Sequence, residues 1–190
     1  VIFISLENWD GVWRRNQFLC AEWLRRFPQM RLLFVGRPLD FSHALRTLNP
    51  QGLSTPSFRR SEAFEGLFLL NPLKFLPNSI GAARRLNQNH LLGQIRCAVK
   101  RAGLRKPLLW INDHFAGFLA GHLDEKGVIY DITDDWALMP SMPSSERARV
   151  GTTDRDLCHR ADLVVVCSEA LERSRRGQTR HLVRVPNGVH

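Results

Sequence analysis

At 190 residues and 44% hydrophobic content, the chain is long enough for one α/β domain with a substantial core and short for two. No apolar run approaches the length of a membrane span. Nor do the four cysteines, Cys20, Cys97, Cys158 and Cys167, form a Cys-x-x-Cys pair, which argues against a zinc site or a disulfide framework. The formal charge of +9 admits an anionic partner and says nothing about fold.

Val1 to Ser5 reads as a short buried strand, followed by a loop with Glu7, Asn8, Trp9, Asp10 and Gly11. A helix is expected from about Arg14 to Phe27, because Cys20, Trp23, Leu24 and Phe27 repeat on one face and Pro28 ends the run. Arg31 to Gly36 is a second strand, and this spacing is that of a βαβ unit. Phe41 to Leu48 reads as a short helix closed by Asn49 to Gly52, and Gly66 to Leu70 as a third strand. Asn78 or Ser79 caps a long helix whose apolar stripe is Ile80, Ala83, Leu91, Ile95, Ala98 and Ala102, with Gly103 at its end. Pro107 to Ile111 is a strand, Phe115 to His122 a small-residue helix, and Gly127 to Tyr130 another strand. Ala137 to Ser145 reads as a mobile loop, and Thr153 to Asp156 as a capping box before Leu157. A strand over Asp162 to Cys167, a helix from Ser168 and a strand over His181 to Val185 complete the chain. The alternation implies one α/β, Rossmann-like, doubly wound and mainly parallel domain over residues 1–190, with helices on both faces.

In such a sheet ligands bind outside the carboxyl ends of the strands. There the sequence places the loop with Trp9, Asp10, Gly11, Trp13, Arg14 and Arg15, then Asn112-Asp113-His114, then Asp131 to Trp136, and finally Asn187-Gly188. Val128 to Trp136 stands out, because an apolar strand turns into three carboxylates and a tryptophan. Unpaired carboxylates are costly to bury, so this cluster is expected to face a crevice. No Gly-x-Gly-x-x-Gly or Walker loop follows the first strand, and a glycine-poor loop bearing two tryptophans suits a ring or sugar better than a pyrophosphate. The paired arginines, such as Arg84-Arg85 and Arg175-Arg176, are spread over several elements and read as solvated helix faces.

Leu6 to Gln17, Tyr130 to Trp136, Arg160 to Val164 with Cys167-Ser168, and Pro186-Asn187-Gly188-Val189, taken in this order and spacing, resemble the amino-terminal domain of GT-B glycosyltransferases. The bacterial family-4-like enzymes that build polysaccharides are the group they resemble most. The resemblance spans nearly the whole chain. It implies an acceptor-side domain, with most nucleotide-sugar contacts on a carboxyl-terminal domain outside these residues. Further implications are no transfer by this chain alone, a nucleotide-diphosphate sugar as co-substrate, no tightly bound cofactor and no metal. The acceptor would be a carbohydrate or a lipid-linked glycan of cell-envelope or polysaccharide synthesis. A cytoplasmic location is expected, at the inner face of the membrane if the basic charge meets anionic lipid; nucleic acid is not the expected partner.

Within that resemblance Asp134, Asp135 and His114 are the candidate catalytic residues. One carboxylate would be the general base for an acceptor hydroxyl, and the sequence leaves open which. Asp131 reads as structural. His114 stands where relatives place a sugar-contacting histidine, and a cap is the alternative. Trp9, Asp10, Gly11, Trp13, Arg14, Arg15, Asn112, Asp113, Trp136, Asn187 and Gly188 are the candidate substrate contacts. For the tryptophans packing is the alternative, and for the arginines a solvated basic turn. Two rival readings stand beside this one: a sugar-nucleotide epimerase of the same fold, and a non-catalytic basic module for nucleic acid or anionic polymer.

Overall fold

Short apolar runs become parallel strands in a computed structural model of the chain, which describes residues 1–41, 57–76, 81–139 and 141–188. The chain divides into two units, Val1–Arg105 and Lys106–His190, taken here in turn.

In the first unit β1 (Ile2–Ile4) leads through a long loop into α1 (Arg15–Arg26) and back into β2 (Leu32–Val35). β1 pairs parallel with β2, β2 pairs parallel with β5 (Leu67–Asn71), and β4 (Ser57–Arg60) closes that edge antiparallel to β5. A parallel pairing of two residues each, β3 (Leu39–Asp40) with β6 (Leu73–Lys74), extends the chain beyond β2 and β5. Every residue of β1 and β2 is buried, as expected for strands covered on both faces. Phe3 stacks on Phe34 across the β1–β2 register, with ring centroids 5.7 Å apart. α2 (Gly81–Arg101) packs Ala83, Ile95, Ala98 and Val99 inward.

The second unit is four parallel strands in the order β7 (Leu108–Ile111), β8 (Gly127–Ile132), β9 (Leu163–Val166), β10 (Leu182–Arg184). A 3-10 turn, His114–Leu119, follows β7, and a second, Trp136–Leu138, follows β8. Then come α3 (Ser144–Arg160) and, after β9, α4 (Glu169–Arg175). The fold is therefore α/β and Rossmann-like, with strands mostly parallel and helices between them.

Several expectations need correction. Thr153 to Asp156 does not start a helix: α3 begins at Ser144, the hydroxyl of Thr153 turns back to the Arg149 carbonyl, and Asp154 is buried. The loop expected over Ala137 to Ser145 is partly helical at both ends. Phe115 to His122 forms 3-10 geometry over His114–Leu119, with two glycines in the stretch that disfavour a regular α-helix. α1 buries Asn16 and Gln17 instead of Phe27, which lies beyond its last turn and is exposed. β8 runs two residues further than expected and carries Asp131 into the interior. β3, β4 and β6 were not expected. The helix expected over Phe41 to Leu48, the Asn49 to Gly52 turn and the Asn78 or Ser79 cap lie outside the described residues, apart from Phe41 itself.

Candidate functional site

At the carboxyl end of β1 the chain leaves the sheet, and its polar backbone groups need new partners. Asn8 supplies many of them. Its Oδ1 accepts from the Arg37 amide and from Asn71 Nδ2, both at 2.9 Å, and its carbonyl accepts from Gln17 Nε2 at 2.9 Å. The Arg37 guanidinium donates to the Leu6 carbonyl. One asparagine thus joins the exits of β1, β2 and β5 to the first turn of α1. Gly36 makes room for it, since an added Cβ would lie 2.7 Å from Asn8 Oδ1 and 2.8 Å from Asn71 Nδ2. Gly36→Ala is expected to cost about 1–3 kcal/mol by overpacking. Chemical denaturation checks this, and an unchanged midpoint would mean that the asparagine pair is not under constraint.

Within this frame Trp9 and Trp13 are joined edge-on, centroids 5.6 Å apart, and Trp9 also meets Phe34 at 5.1 Å and Phe64 at 6.0 Å. Trp13 continues outward to Phe18 at 5.2 Å. Both tryptophans are half-buried, and Trp9 is anchored on the core through Phe34. Asp10 Oδ1 accepts from the Val12 amide at 3.0 Å, which shapes the turn around the exposed Gly11. Arg14 lies 3.7 Å from both Glu7 and Asp10, and its amide donates to Gln17 Oε1 at the start of α1. Arg15, half-buried, is the first residue of α1. Burial raises the Glu7 carboxyl above its ordinary value against the pull of Arg14 and Arg37, so Glu7 belongs to this loop's electrostatics although it was not a candidate.

In the second unit Asn112, Asp113 and His114 divide three tasks. Asn112 Nδ2 donates to the Asp131 carbonyl at 3.1 Å, linking the ends of β7 and β8. Asp113 caps the 3-10 turn, accepting from the Phe115 amide at 2.9 Å. His114 is only 4% exposed, its ring centroid 4.2 Å from Phe115 and 5.9 Å from Trp136. Among the described residues its Nε2 has no hydrogen-bond partner. Burial, with help from the Arg149 guanidinium that covers Phe115, lowers its pKa to about 4. At neutral pH the ring is uncharged, offering one N–H and one lone pair.

This has a pH signature. The unfolded chain takes up that proton near 6.5 and the folded chain near 4, so folding stability is intact above about pH 6.5 and falls as the pH drops toward 4. The full loss is about 3 kcal/mol. The His114→Gln variant should show a shallower acid slope in urea denaturation. An imidazole that titrates near 6.5 by NMR would contradict this environment.

Asp131, fully buried, receives the Trp110 indole N–H on Oδ2 at 3.1 Å and serves the sheet. Of the three carboxylates expected to face a crevice, Asp131 is therefore withdrawn into the sheet. Asp134 is exposed and makes no hydrogen bond or ion pair among the described residues. Asp135 is held by Arg175, whose Nη1 lies 3.3 Å from its Oδ2. The same guanidinium places Nε 3.0 Å from Asp154 Oδ2, and the Tyr130 hydroxyl donates to Asp154 Oδ1 at 2.6 Å. Burial, then the Asp154 carboxylate, pushes the Tyr130 hydroxyl well above its usual range, so it stays protonated and remains a donor. The same two causes push the Cys158 thiol up to about 12. Cys167 Sγ donates to the Thr133 carbonyl at 3.1 Å. The turn that carries Asp134, Asp135 and Trp136 is thus fastened to β9 and to α4, with α3 tied in through Asp154.

The second unit brings His114, Asp135 and Trp136 onto neighbouring turns. The first unit gathers Trp9, Asp10, Trp13 and Arg14. Asn187 and Gly188 are exposed beyond β10. Tyr130, Asp154 and Arg175 were missed by the sequence reading. Arg175 looked like one half of a solvated basic pair, and Asp154 like part of a capping box.

No protein-family model matches the chain, and no curated protein matches it. Solved structures do. A sucrose-phosphate synthase from Thermosynechococcus elongatus superposes with a TM-score of 0.61 at 13% identity, over 100% of this chain and 90% of that one. A UDP-glucose:anthocyanidin 3-O-glucosyltransferase in complex with UDP gives 0.58 at 10% identity, over 97% of this chain. The chain spans 52% of the length of that glucosyltransferase. At such identities the likeness is one of fold, and the chain has the Rossmann-like fold found in these GT-B glycosyltransferases.

Proposed function

We propose that the chain is the acceptor-side, amino-terminal half of a glycosyltransferase. It works with a second, nucleotide-sugar-binding half and moves a sugar from a nucleotide-diphosphate sugar to a glycan or lipid-linked acceptor. The observation that carries this reading is His114: a buried neutral imidazole with an unpartnered Nε2, next to Trp136 and the Asp134–Asp135 turn, at the carboxyl ends of β7 and β8. A buried polar atom without a partner is costly unless a ligand supplies one. A sugar hydroxyl suits an uncharged imidazole, and the Trp136 face suits the apolar side of a sugar ring.

In this reading Asp134 is the base. The acceptor oxygen forms the new bond to the anomeric carbon, its proton passes to Asp134, and the nucleoside diphosphate leaves with the electrons of the broken bond. Asp135, paired with Arg175, orients the turn. His114 holds the acceptor without carrying charge. Titrating the chain with candidate acceptor oligosaccharides and following NMR signals tests this. The Trp136 indole and the His114 imidazole are expected to shift first. Saturable binding that leaves both unmoved would place the acceptor elsewhere.

A further inference from the structure

The strands of the second unit run parallel, so their amino ends share the sheet edge opposite Asn112–His114 and Asp134–Trp136. That edge has an open pocket of about 630 Å³, within the range of about 300–1,000 Å³ usual for small-molecule sites. Lys126 enters its lining just before β8, Asp162 just before β9 and Arg180 shortly before β10, while His159 and Arg160 come from the last turn of α3. Ala120, Gly121 and Gly127 keep the wall free of bulk, and a Cβ added at Gly121 would meet nothing within 4 Å.

The lining carries both signs of charge, but the acids are mostly engaged and the bases mostly are not. Glu125 accepts from the Gly121 amide and, at 2.8 Å, from the Leu123 amide. Asp162 Oδ2 accepts from the Val128 amide at 2.8 Å. Among the described residues Asp124 is the one lining carboxylate without a donor. Of the bases, Arg160 is engaged, donating to the Gly117 and Ala120 carbonyls at 3.4 and 2.6 Å. Lys126, His159 and Arg180 are exposed and make no side-chain hydrogen bond or ion pair among the described residues. A basic residue in the last turn of a helix complements the helix dipole, which accounts for His159. Lys126 and Arg180 stand in loops, where that account does not apply.

We propose that this pocket binds a phosphorylated small molecule, with the phosphate held by Lys126 and Arg180 and His159 beside them. Free donors outnumber free acceptors in the lining, so the ligand must be rich in acceptors and negatively charged. A phosphate monoester supplies three acceptor oxygens and about 1.5–2 negative charges. A guanidinium takes two such oxygens at once, and an ammonium serves as a point charge. A carboxylate, with fewer oxygens and one charge, would leave part of the donor set idle. The volume beyond the phosphate has room for the rest of the molecule against Ala120, Gly121 and Gly127. The site is at the opposite strand ends from His114 and Asp134, and it works whether or not the chain takes part in sugar transfer.

NMR titration of the chain with ribose 5-phosphate, inorganic phosphate and unphosphorylated ribose is the test, with sodium chloride at matched ionic strength as reference. Ribose 5-phosphate is expected to give saturable shifts at the Gly121 and Gly127 amides and the His159 ring. Inorganic phosphate should move the same signals with lower affinity, and ribose should move none. Lys126→Gln and Arg180→Gln should each weaken ribose 5-phosphate binding about tenfold. Their urea midpoints should be unchanged, because neither side chain has a partner to lose. Arg59→Gln, which alters an exposed arginine of β4, should bind like wild type. The same shifts with chloride alone would reduce the effect to ionic screening and overturn the assignment. So would binding of ribose, shifts that never saturate, or an Arg59→Gln loss equal to that of Lys126→Gln. Inorganic phosphate bound as tightly as the ester would overturn the small-molecule part of the proposal.

Discussion

Replacing Arg175 with methionine is expected to destabilise the second unit by about 3–5 kcal/mol, because it strands the buried Asp154 carboxylate without its cation. The guanidinium is 8% exposed and stands within 3.3 Å of one carboxylate and 3.0 Å of another, so no other group in the network can replace it. Removing both ends should behave differently. In Arg175→Met with Asp154→Leu, apolar contacts replace the pair, and most of the lost stability should return. Tyr130→Phe removes only the hydroxyl that donates at 2.6 Å and should cost about 1.5–3 kcal/mol. Arg175→Lys keeps the charge without the fork and should fall between wild type and methionine. Urea denaturation of the four variants separates these cases. A methionine variant as stable as wild type would show that the carboxylates find solvent instead.

Asp134→Asn is expected to lower sugar transfer by roughly 10²–10³-fold if Asp134 takes the acceptor proton. The loss should fall on kcat, and the acidic limb of the pH–rate profile should disappear. His114→Ala should instead raise the acceptor KM more than it lowers kcat and leave that limb in place, since the imidazole holds the hydroxyl without removing its proton. Asp135→Asn should act through stability, because its partner Arg175 is buried between it and Asp154. An Asp134→Asn variant with an unchanged acidic limb would remove Asp134 as the base.

The parallel strands were legible because apolar runs such as Leu32–Val35 and Leu163–Val166 are short, β-branched or leucine-rich and bounded by polar loops. The position of His114 was legible too, as the residue just past an apolar strand. Its burial was not, since that depends on Phe115 and Trp136 closing over it. The start of α3 was missed because Thr153-Asp154-Arg155-Asp156 has the local chemistry of a cap, while tertiary contacts take Asp154 into an ion pair. Tyr130, Asp154 and Arg175 lie on separate elements, so no local pattern announces their meeting. β4 was hidden by its charge, with Arg59 and Arg60 suiting an exposed antiparallel edge.

The most direct measurement is sugar transfer itself: the chain, joined to its nucleotide-sugar-binding half, is incubated with UDP-, GDP- and ADP-sugars and glycan or lipid-linked acceptors, and products are read by mass spectrometry alongside Asp134→Asn. The acceptor-site reading predicts transfer or slow donor hydrolysis with at least one donor, lost in the variant. No product with any donor, or equal product from the variant, would contradict it.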